Sequence, residues 1–233
     1  MSCARLAQAL QQQPGWQQAA IEPVWLPQEQ LTLGLLKTKP DQLFNAAEIG
    51  DIWANMPYWA FAWAGGRAMA QWLLEHPEAV RGKRVLDFGC GSGIAGVQAA
   101  RLGAAEVWAA DIDELALQAT SVNAALNQVD VKICRSPLQQ HLPEVDLFLA
   151  GDVLYDPNCR PLLQWLLGAI PEALLAEPDA ALQCFHPFES SAVSLHKAAT
   201  TISSTLPQIG DFDEQVAVDI LTLSRSAAGY SPR

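Results

Sequence analysis

Hydrophobic and polar positions follow a regular pattern in the part of the chain that begins at Gly65. Short apolar runs of strand length alternate there with segments of helical periodicity, as expected of a parallel sheet covered by helices. The predicted strands are 84–88, 106–110, 131–134, 145–151 and 180–185, and the predicted helices are 67–75, 93–102, 113–127, 159–169 and 189–202. This alternation predicts a doubly wound α/β fold.

The end of the chain breaks the alternation. Residues 206–212 and 215–224 both have strand character, and only the acidic turn Asp211–Glu214 separates them. A connection this short requires an antiparallel pair of strands. We therefore expect a mostly parallel seven-stranded sheet that ends in a C-terminal antiparallel hairpin.

The first part of the chain has a different pattern. Residues 4–13 predict a short helix that ends at Pro14-Gly15, and residues 22–60 are rich in Pro, Trp and turn residues without sustained periodicity. We predict an N-terminal helical and irregular cap over residues 1–63. A single α/β domain is then expected over residues 64–233.

Composition narrows the classes of function. Half of the 233 residues are hydrophobic and 17% are charged, which predicts a folded chain rather than a disordered one. The net charge of −11 repels phosphate backbones and therefore disfavours nucleic acid, whereas a basic protein segment or a small cation would be attracted. The same charge also keeps a protein in solution.

Cysteine usage and hydropathy bear on location. The five cysteines are an odd number, widely spaced, and lack the spacing of a zinc site, so we expect neither a disulfide framework nor a bound metal. No apolar run reaches the length of about 18 residues that spans a bilayer, and the first residues lack a hydrophobic signal core. These features predict a cytoplasmic protein without a membrane partner.

A glycine-rich loop follows the strand predicted at 84–88. Glycine occupies every second position of this loop, at Gly89, Gly91 and Gly93. A tight strand-to-helix turn needs residues without Cβ, both for unusual φ angles and for close approach of a ligand. The run 91–96 also fits G-x-G-x-x-G, and Asp111 lies 20 residues beyond Gly91, so the motif alone fits NAD as well as other nucleosides.

Two acidic residues make the motif more specific. Asp87, the penultimate residue of the strand predicted at 84–88, is expected to face the ligand. Its charge would repel a pyrophosphate there but complement the ammonium and sulfonium groups of S-adenosylmethionine. Asp111 ends the next strand and should accept hydrogen bonds from ribose hydroxyls. Helix capping is the alternative for Asp111 and Asp113, and we predict capping for Asp113 and ligand binding for Asp111. S-adenosylmethionine is thus the predicted cofactor, ahead of NAD.

The segment 89–127 resembles the ribosomal protein L11 methyltransferases, a branch of the seven-strand class I methyltransferases. Two further segments, 57–66 (PYWAFAWAGG) and 151–156 (GDVLYD), resemble the lysine methyltransferases of the electron transfer flavoprotein β subunit. The resemblance extends from about Pro57 to Trp165. It implies a Rossmann-like class I methyltransferase fold, S-adenosylmethionine as cofactor, and a lysine of the electron transfer flavoprotein β subunit as the methyl acceptor.

The sequence departs from that family in two places. The family has a glycine-aspartate-proline turn ending in Arg after its fifth strand, whereas this chain has Cys184-Phe185-His186-Pro187-Phe188 after the strand predicted at 180–185. Ala64 stands where the family often has proline. The first departure leaves the protein target open, and His186 is expected to be a hydrogen-bonded structural residue rather than a catalytic base.

Asp152 and Tyr155 follow the strand predicted at 145–151 and should lie at the same edge of the sheet as Asp87 and Asp111. Asp152 can hold a lysine ammonium through a charge-assisted hydrogen bond. Tyr155, Trp59 and Trp63 could narrow the channel and contact a cation through their ring faces. The alternative is that Asp152 caps the helix that follows and that Tyr155 packs in the core.

These arguments define the predicted site. The predicted catalytic residues are Asp152 and Tyr155, and the predicted cofactor contacts are Trp63, Asp87, Gly89, Gly91, Gly93, Asp111, Ile112 and Asp152. The predicted function is that of an S-adenosylmethionine-dependent protein-lysine N-methyltransferase. A methyltransferase acting on a ribosomal protein or a small amine, an NAD-dependent oxidoreductase, and a non-catalytic nucleotide-binding module are the alternatives. The oligomeric state stays open.

Overall fold

The structure is a computed structural model, and it describes residues 2–37, 54–135, 138, 141–182, 193–207 and 215–225. Its centre is a seven-stranded sheet. The strands of this sheet are β4 (Arg84–Phe88), β5 (Glu106–Ala110), β6 (Lys132–Cys134), β7 (Leu147–Gly151), β8 (Glu172–Pro178), β9 (Val193–Ser203) and β11 (Gln215–Arg225). Two short ladders lie outside it: β1 (Ile21–Leu26) with β2 (Leu31–Leu36), and β3 (Ala62–Trp63) with β10 (Thr205–Leu206).

The strand order of the sheet is β6-β5-β4-β7-β8-β11-β9. The first five strands in this order pair in parallel, and β11 is antiparallel to both β8 and β9. The order reverses between β4 and β7, and the carboxyl ends of the strands on either side of such a switch point are where doubly wound folds bind ligands. The mostly parallel seven-stranded fold with an antiparallel C-terminal pair is therefore confirmed.

Six helices accompany the strands in the described part of the chain. They are α1 (Cys3–Leu10), α2 (Ala64–Glu75), α3 (Ile94–Arg101), α4 (Glu114–Leu126), α5 (Cys159–Ala169) and the one-turn α6 (Asp179–Leu182). Short 3₁₀ turns form at Tyr58–Ala60 and Pro77–Ala79. No helix among the described residues is both long and apolar enough to cross a membrane.

The central strands are buried on both faces because successive residues enter different cores. Leu147 and Leu149 pack with residues of α2 and α3 on one face, whereas Phe148 and Ala150 pack with residues of α5 on the other. Since both faces are covered, these strands read as continuous apolar runs. This packing holds the carboxyl ends of β4 and β7 in fixed positions.

The N-terminal part packs against the helices rather than forming a separate body. Apolar residues of α1 and Trp16 cluster with Trp59, Phe61 and the α4 helix. The turn between β1 and β2 contributes Glu29, whose Oε1 lies 2.8 Å from Nε of Arg67 on α2 in a buried ion pair. The β1–β2 hairpin was not predicted, since proline and turn residues hide its alternation.

Three predictions at the C-terminal end of the chain were wrong. The strand predicted at 180–185 lies earlier, at β8, because the Ala- and Leu-rich run 172–178 has helical propensity that its central place in the sheet overrides. Of the helix predicted at 189–202, residues 193–202 belong to the edge strand β9, and residues 189–192 lie outside the described part. The partner of β11 is therefore β9 and not 206–212. Of that predicted strand, Leu206 belongs to β10, and residues 208–212 lie outside the described part, as does the turn 211–214.

Candidate active site

The glycine loop connects β4 to α3 at the switch point of the sheet. Gly89, Gly91 and Gly93 have φ angles of 65°, 51° and 75°, a left-handed region that favours glycine. A Cβ at Gly93 would lie 2.6 Å from Oγ1 of Thr120 on α4. The N–H groups of Gly89 and Cys90 both donate to the carbonyl oxygen of Ala110, at 2.8 and 3.1 Å, which fixes the loop over the end of β5. The alternating glycines thus serve the tight turn that the sequence predicted.

Asp87 lies beneath this loop and not in front of it. Its side chain is only 3% exposed, and Oδ2 accepts a hydrogen bond of 2.9 Å from the N–H of Gly96 in the first turn of α3. Burial raises the pKa of Asp87 to about 7. The expectation that this carboxylate faces the ligand was wrong, because the free N–H groups at the start of the helix draw it inward. Asp87 supports the loop, and its charge no longer discriminates between a sulfonium and a pyrophosphate.

Asp111 joins the glycine loop to the start of α4. Its Oδ2 accepts from the N–H of Gly91 at 2.9 Å, and its Oδ1 accepts from the N–H of Asp113 at 2.9 Å. The side chain remains partly exposed, and a carboxylate has further lone pairs for ribose hydroxyls. Asp113 accepts from the N–H of Leu115 at 2.8 Å, so the predicted cap is confirmed.

Ile112 is fully exposed beside these two acids. The relative accessibility of its side chain is 100%, whereas most isoleucine side chains are buried. A flat apolar ligand group lying against the glycine loop would cover it. This position is compatible with the predicted contact between Ile112 and the cofactor.

Asp152 occupies a strained position directly after β7. Its φ is 53°, its N–H donates to the carbonyl oxygen of Ala176 at 3.1 Å, and its Oδ2 accepts from the N–H of Gly66 at 3.0 Å. Gly66 is in the first turn of α2, so Asp152 caps α2 and not the helix that follows. Burial raises the pKa of Asp152 to about 6, although the N–H groups of Gly65 and Gly66 favour its charged form.

A row of aromatic rings includes Tyr155, three residues after Asp152. Tyr155 is 63% exposed, which contradicts the alternative that it packs in the core. Its ring centroid lies 5.5 Å from that of Tyr58, which in turn lies 5.7 Å from that of Trp63. The indole N–H of Trp63 donates to the carbonyl oxygen of Tyr58 at 2.8 Å. These three rings form an open aromatic wall at the carboxyl edge of the sheet.

Trp59 does not belong to the wall. It is 1% exposed and packs in the core between α1 and α4, because the 3₁₀ turn Tyr58–Ala60 directs neighbouring side chains in different directions. Tyr58, which is 44% exposed, takes the place predicted for Trp59. No local pattern in an aromatic run as dense as 57–63 tells which ring faces outward.

Glu177 is a further acid at this edge that the sequence analysis did not find. It is the penultimate residue of β8, is 1% exposed, and accepts from the N–H groups of Val153 and Leu154. The placement of β8 also changes the comparison with the glycine-aspartate-proline turn of the resembled family. Ala176-Glu177-Pro178 stands where this turn is expected, without the arginine, and the departure noted at 184–188 came from the misplaced strand. Cys184 and His186 lie outside the described residues.

The parts of the site meet along one edge. The glycine loop and Asp111 are hydrogen-bonded to each other, and a Cβ at Gly89 would lie 2.8 Å from Cγ1 of Val153, next to Asp152. A nucleoside site over β4 and β5 thus adjoins an acid and an aromatic wall over β7 and β8. This arrangement can hold a nucleoside ligand on one side and a cationic group on the other.

The strand order, the loop at the switch point and the acid directly after β5 define the Rossmann-like class I methyltransferase fold. Among solved structures, the chain is similar to the magnesium protoporphyrin IX methyltransferase of Synechocystis PCC 6803 with bound SAM. The sequence identity is 18% and the TM-score 0.52, over 80% of this chain and 86% of that one. This likeness shows the fold.

Sequence comparison adds the relatives. Residues 69–154 match the family model of the ribosomal protein L11 methyltransferase (PrmA). The electron transfer flavoprotein beta subunit lysine methyltransferase of Homo sapiens is 38% identical over 123 residues, which cover 51% of this chain and 47% of that one. That of Danio rerio is 42% identical over 152 residues, which cover 61% and 57%. The chain thus spans about half the length of these relatives, and the resemblance stated from the sequence is confirmed.

Proposed function

We propose that this protein is an S-adenosylmethionine-dependent methyltransferase that methylates a lysine amine on a protein, with the electron transfer flavoprotein β subunit as its substrate. The observation that carries the proposal is the contact between the two halves of the site. A glycine loop tied to Asp111 adjoins the turn that carries Asp152 and Tyr155, so a donor and a cationic acceptor can be placed side by side. The relatives' names supply the substrate.

The residues of the cofactor half are assigned from their positions. Asp111 is available to ribose hydroxyls, Ile112 to the adenine, and the backbone of Gly89, Gly91 and Gly93 to close approach of the ligand. Asp87 acts through the loop it supports. Bound S-adenosylmethionine supplies a methyl group on a positively charged sulfur, and Asp152 and Trp63 border the place where that group would meet the acceptor.

The acceptor half must bind the lysine as an ammonium and then hold it as a neutral amine after it has lost a proton. A free lysine has a pKa of about 10.4 and is nucleophilic only without its proton. Asp152 carries a negative charge at neutral pH and orients the ammonium on entry. Tyr58, Trp63 and Tyr155 contact the ammonium through their ring faces as it enters. They also exclude water, and this desolvation acts in the opposite direction and lowers the pKa of the enclosed amine. Once its proton has passed to water, the neutral nitrogen would attack the methyl carbon as the carbon–sulfur bond of the bound donor breaks. The chain contributes by holding this nitrogen about 3–3.5 Å from the methyl carbon in the attack direction.

Charge supports a protein acceptor. The net charge of −11 favours a surface loop that presents lysine and disfavours nucleic acid. A cytoplasmic location, inferred from cysteine usage and hydropathy, belongs to this proposal. The family match over 69–154 makes ribosomal protein L11 the second candidate acceptor.

The test is methyl transfer with defined acceptors. The full chain is incubated with tritiated S-adenosylmethionine and either the electron transfer flavoprotein β subunit or ribosomal protein L11, and labelled lysines are located by mass spectrometry. Label on a lysine of the β subunit supports the proposal, and label on L11 alone favours the second candidate. Binding of NADH without binding of S-adenosylhomocysteine would point to an oxidoreductase instead.

A further inference from the structure

Glu177 is a buried acid that the proposed reaction does not use. Its Oε1 accepts from the N–H of Val153 at 2.7 Å and from the N–H of Leu154 at 3.3 Å, and its Oε2 lies 3.4 Å from the same Leu154 nitrogen. These contacts cross from the end of β8 to the turn that follows β7. The side chain is 1% exposed, so solvent does not compete for them.

The backbone N–H groups of this turn lie beyond the end of β7 and are not paired with a neighbouring strand in the regular pattern of the sheet. The chain leaves the sheet after Gly151, and the N–H of Asp152 still finds the backbone carbonyl of Ala176 at 3.1 Å. The next two N–H groups are bonded to the Glu177 carboxyl group in place of backbone oxygens. Val153 and Leu154 are 4% and 1% exposed, and buried N–H groups require an acceptor. The carboxyl group therefore completes the hydrogen bonding of this turn.

Both predicted catalytic residues of the acceptor site, Asp152 and Tyr155, lie on this turn. Asp152 begins it in the left-handed region, with φ of 53°, a conformation that persists only where the surroundings impose it. Gly66 holds the side chain of Asp152 from one side, and Glu177 holds the following peptide groups from the other. Tyr155 comes directly after Leu154, so a shift of the turn moves the carboxylate and the ring together.

The protonation state of Glu177 makes glutamine the matched substitution for this acid. Three groups face Glu177 from neighbouring elements: Asp152 on the turn, Asp219 on β11, which is its Cα partner, and Cys159 on α5. Burial and the negative charge of Asp152 raise the pKa of Glu177 to about 8. At neutral pH Glu177 is largely protonated and Asp152 carries the charge. A glutamine has the same length, is neutral, and keeps one oxygen as an acceptor.

We propose that Glu177 is a positioning residue of the methyl-acceptor site, which fixes the turn 152–155 so that Asp152 and Tyr155 meet the incoming amine. The proposal rests on the proposed function for the identity of the reaction. Its claim about the turn rests on the hydrogen bonds alone.

Kinetics of three variants test the proposal. Glu177→Met has a similar volume without an acceptor, Glu177→Gln retains one, and Val80→Ala is a buried substitution before β4, away from the carboxyl edge. With the electron transfer flavoprotein β subunit as acceptor, we expect kcat of Glu177→Met to fall about tenfold or more, while its affinity for S-adenosylhomocysteine stays within about threefold. Glu177→Gln should restore kcat to within about threefold of the wild type.

The proposal is overturned if Glu177→Met keeps wild-type kcat, or if Val80→Ala loses as much kcat at equal thermal stability. It is also overturned if Glu177→Gln is as impaired as Glu177→Met. Failure of Glu177→Met to fold leaves the glutamine variant and the wild type as tests, through the exchange measurement below.

Hydrogen exchange separates this proposal from the proposed function. The amides of Val153 and Leu154 should exchange slowly in the wild type and in Glu177→Gln, and at least about tenfold faster in Glu177→Met. Fast exchange of these amides in the wild type overturns the proposal whatever the reaction is. Slow exchange in a wild type that labels neither acceptor protein leaves Glu177 holding the turn and overturns the proposed function alone.

Discussion

Asp111 is the residue on which cofactor binding is expected to depend most directly. It accepts from the N–H groups of Gly91 and Asp113, so its loss removes both a ligand contact and a support of the loop. We expect Asp111→Ala to weaken S-adenosylhomocysteine binding about tenfold or more in calorimetry. Asp113→Ala is the matched control, because Asp113 caps α4. This substitution should lower the unfolding free energy by about 1 kcal/mol with little change in affinity for S-adenosylhomocysteine. Equal losses of affinity in both variants would contradict the assignment.

Substitution of Asp152 is expected to affect methyl transfer without affecting cofactor binding. Asp152→Asn keeps the size of the side chain and an oxygen for the N–H of Gly66, but removes the charge that orients the ammonium. We expect its affinity for S-adenosylhomocysteine to stay within about threefold of the wild type and kcat to fall about 100-fold. The measurement is calorimetry beside initial rates at saturating donor. Unchanged methyl transfer would remove the role assigned to Asp152.

Glu177 should make stability depend on pH. Its pKa is raised from 4.5 to about 8, so between these values the folded state binds a proton that the unfolded state has released. Stability therefore falls as pH rises through this window, by up to about 1.4 kcal/mol per pH unit. Glu177→Gln lacks this titration, and its unfolding free energy should decline less from about pH 5 to about pH 8. Urea unfolding at several pH values measures the difference, and parallel curves for the two proteins would contradict it.

At the scale of elements, the site depends on how closely the start of α2 approaches the sheet. A Cβ at Gly65 would lie 2.3 Å from the carbonyl oxygen of Ala176 and 2.7 Å from Oδ2 of Asp152. Glycine is required here for close packing rather than for an unusual φ angle. The helix start, the end of β8 and the acceptor acid therefore form one packed unit.

Gly65→Ala should disturb this unit. Backbone cannot yield as a side chain can, so we expect a loss of about 2–3 kcal/mol in unfolding free energy and a marked loss of turnover. Gly82→Ala is the control, because no atom lies within 4 Å of its added Cβ and only the strain of a φ of 74° remains, worth about 1 kcal/mol. A Gly65→Ala variant no less stable than Gly82→Ala would refute the close packing.

At the scale of the whole molecule, two asparagines, one in α4 and one directly after it, connect the N-terminal hairpin to the rest of the chain. Asn123, fully buried, accepts from the N–H of Gly34 on β2 at 2.7 Å and donates to the carbonyl oxygen of Ser92 in the glycine loop at 2.7 Å. Asn127, one turn later, bonds both polar backbone groups of Thr32. One asparagine thus joins the N-terminal hairpin to the cofactor loop, and the other only to α4. We retain the division into a cap, 1–63, and a domain, 64–233, as a proposal.

The two asparagines give a matched pair of variants. Asn123→Ala should lower the unfolding free energy by about 2–3 kcal/mol, because it leaves buried groups on two elements without partners, and should weaken S-adenosylhomocysteine binding about fivefold. Asn127→Ala should lower stability by about 1–2 kcal/mol with affinity nearly unchanged. Denaturant unfolding and calorimetry measure both quantities. If the two variants bind equally well, the hairpin and the loop are not coupled.

The sequence by itself determined the parts of the molecule whose signals are local. The glycine loop, the cap at Asp113, the strands from 84 to 151 and the helix at 159–169 follow from propensity and spacing within a few residues. The resemblance to methyltransferases rests on the same local segments. These local patterns agree with the structure because the strands beside the switch point are buried on both faces. A continuous apolar segment is suited to such a position.

Only the tertiary structure decided which side chains meet. Asp87 turned inward to the start of α3, Tyr58 rather than Trp59 joined the aromatic wall, and Glu177 reached a turn 23 residues away. The C-terminal strands were misassigned since their place in the sheet outweighs their propensity. Hydrogen-bond partners and burial depend on which elements become neighbours, and this information is distributed over the whole chain rather than written at any one position.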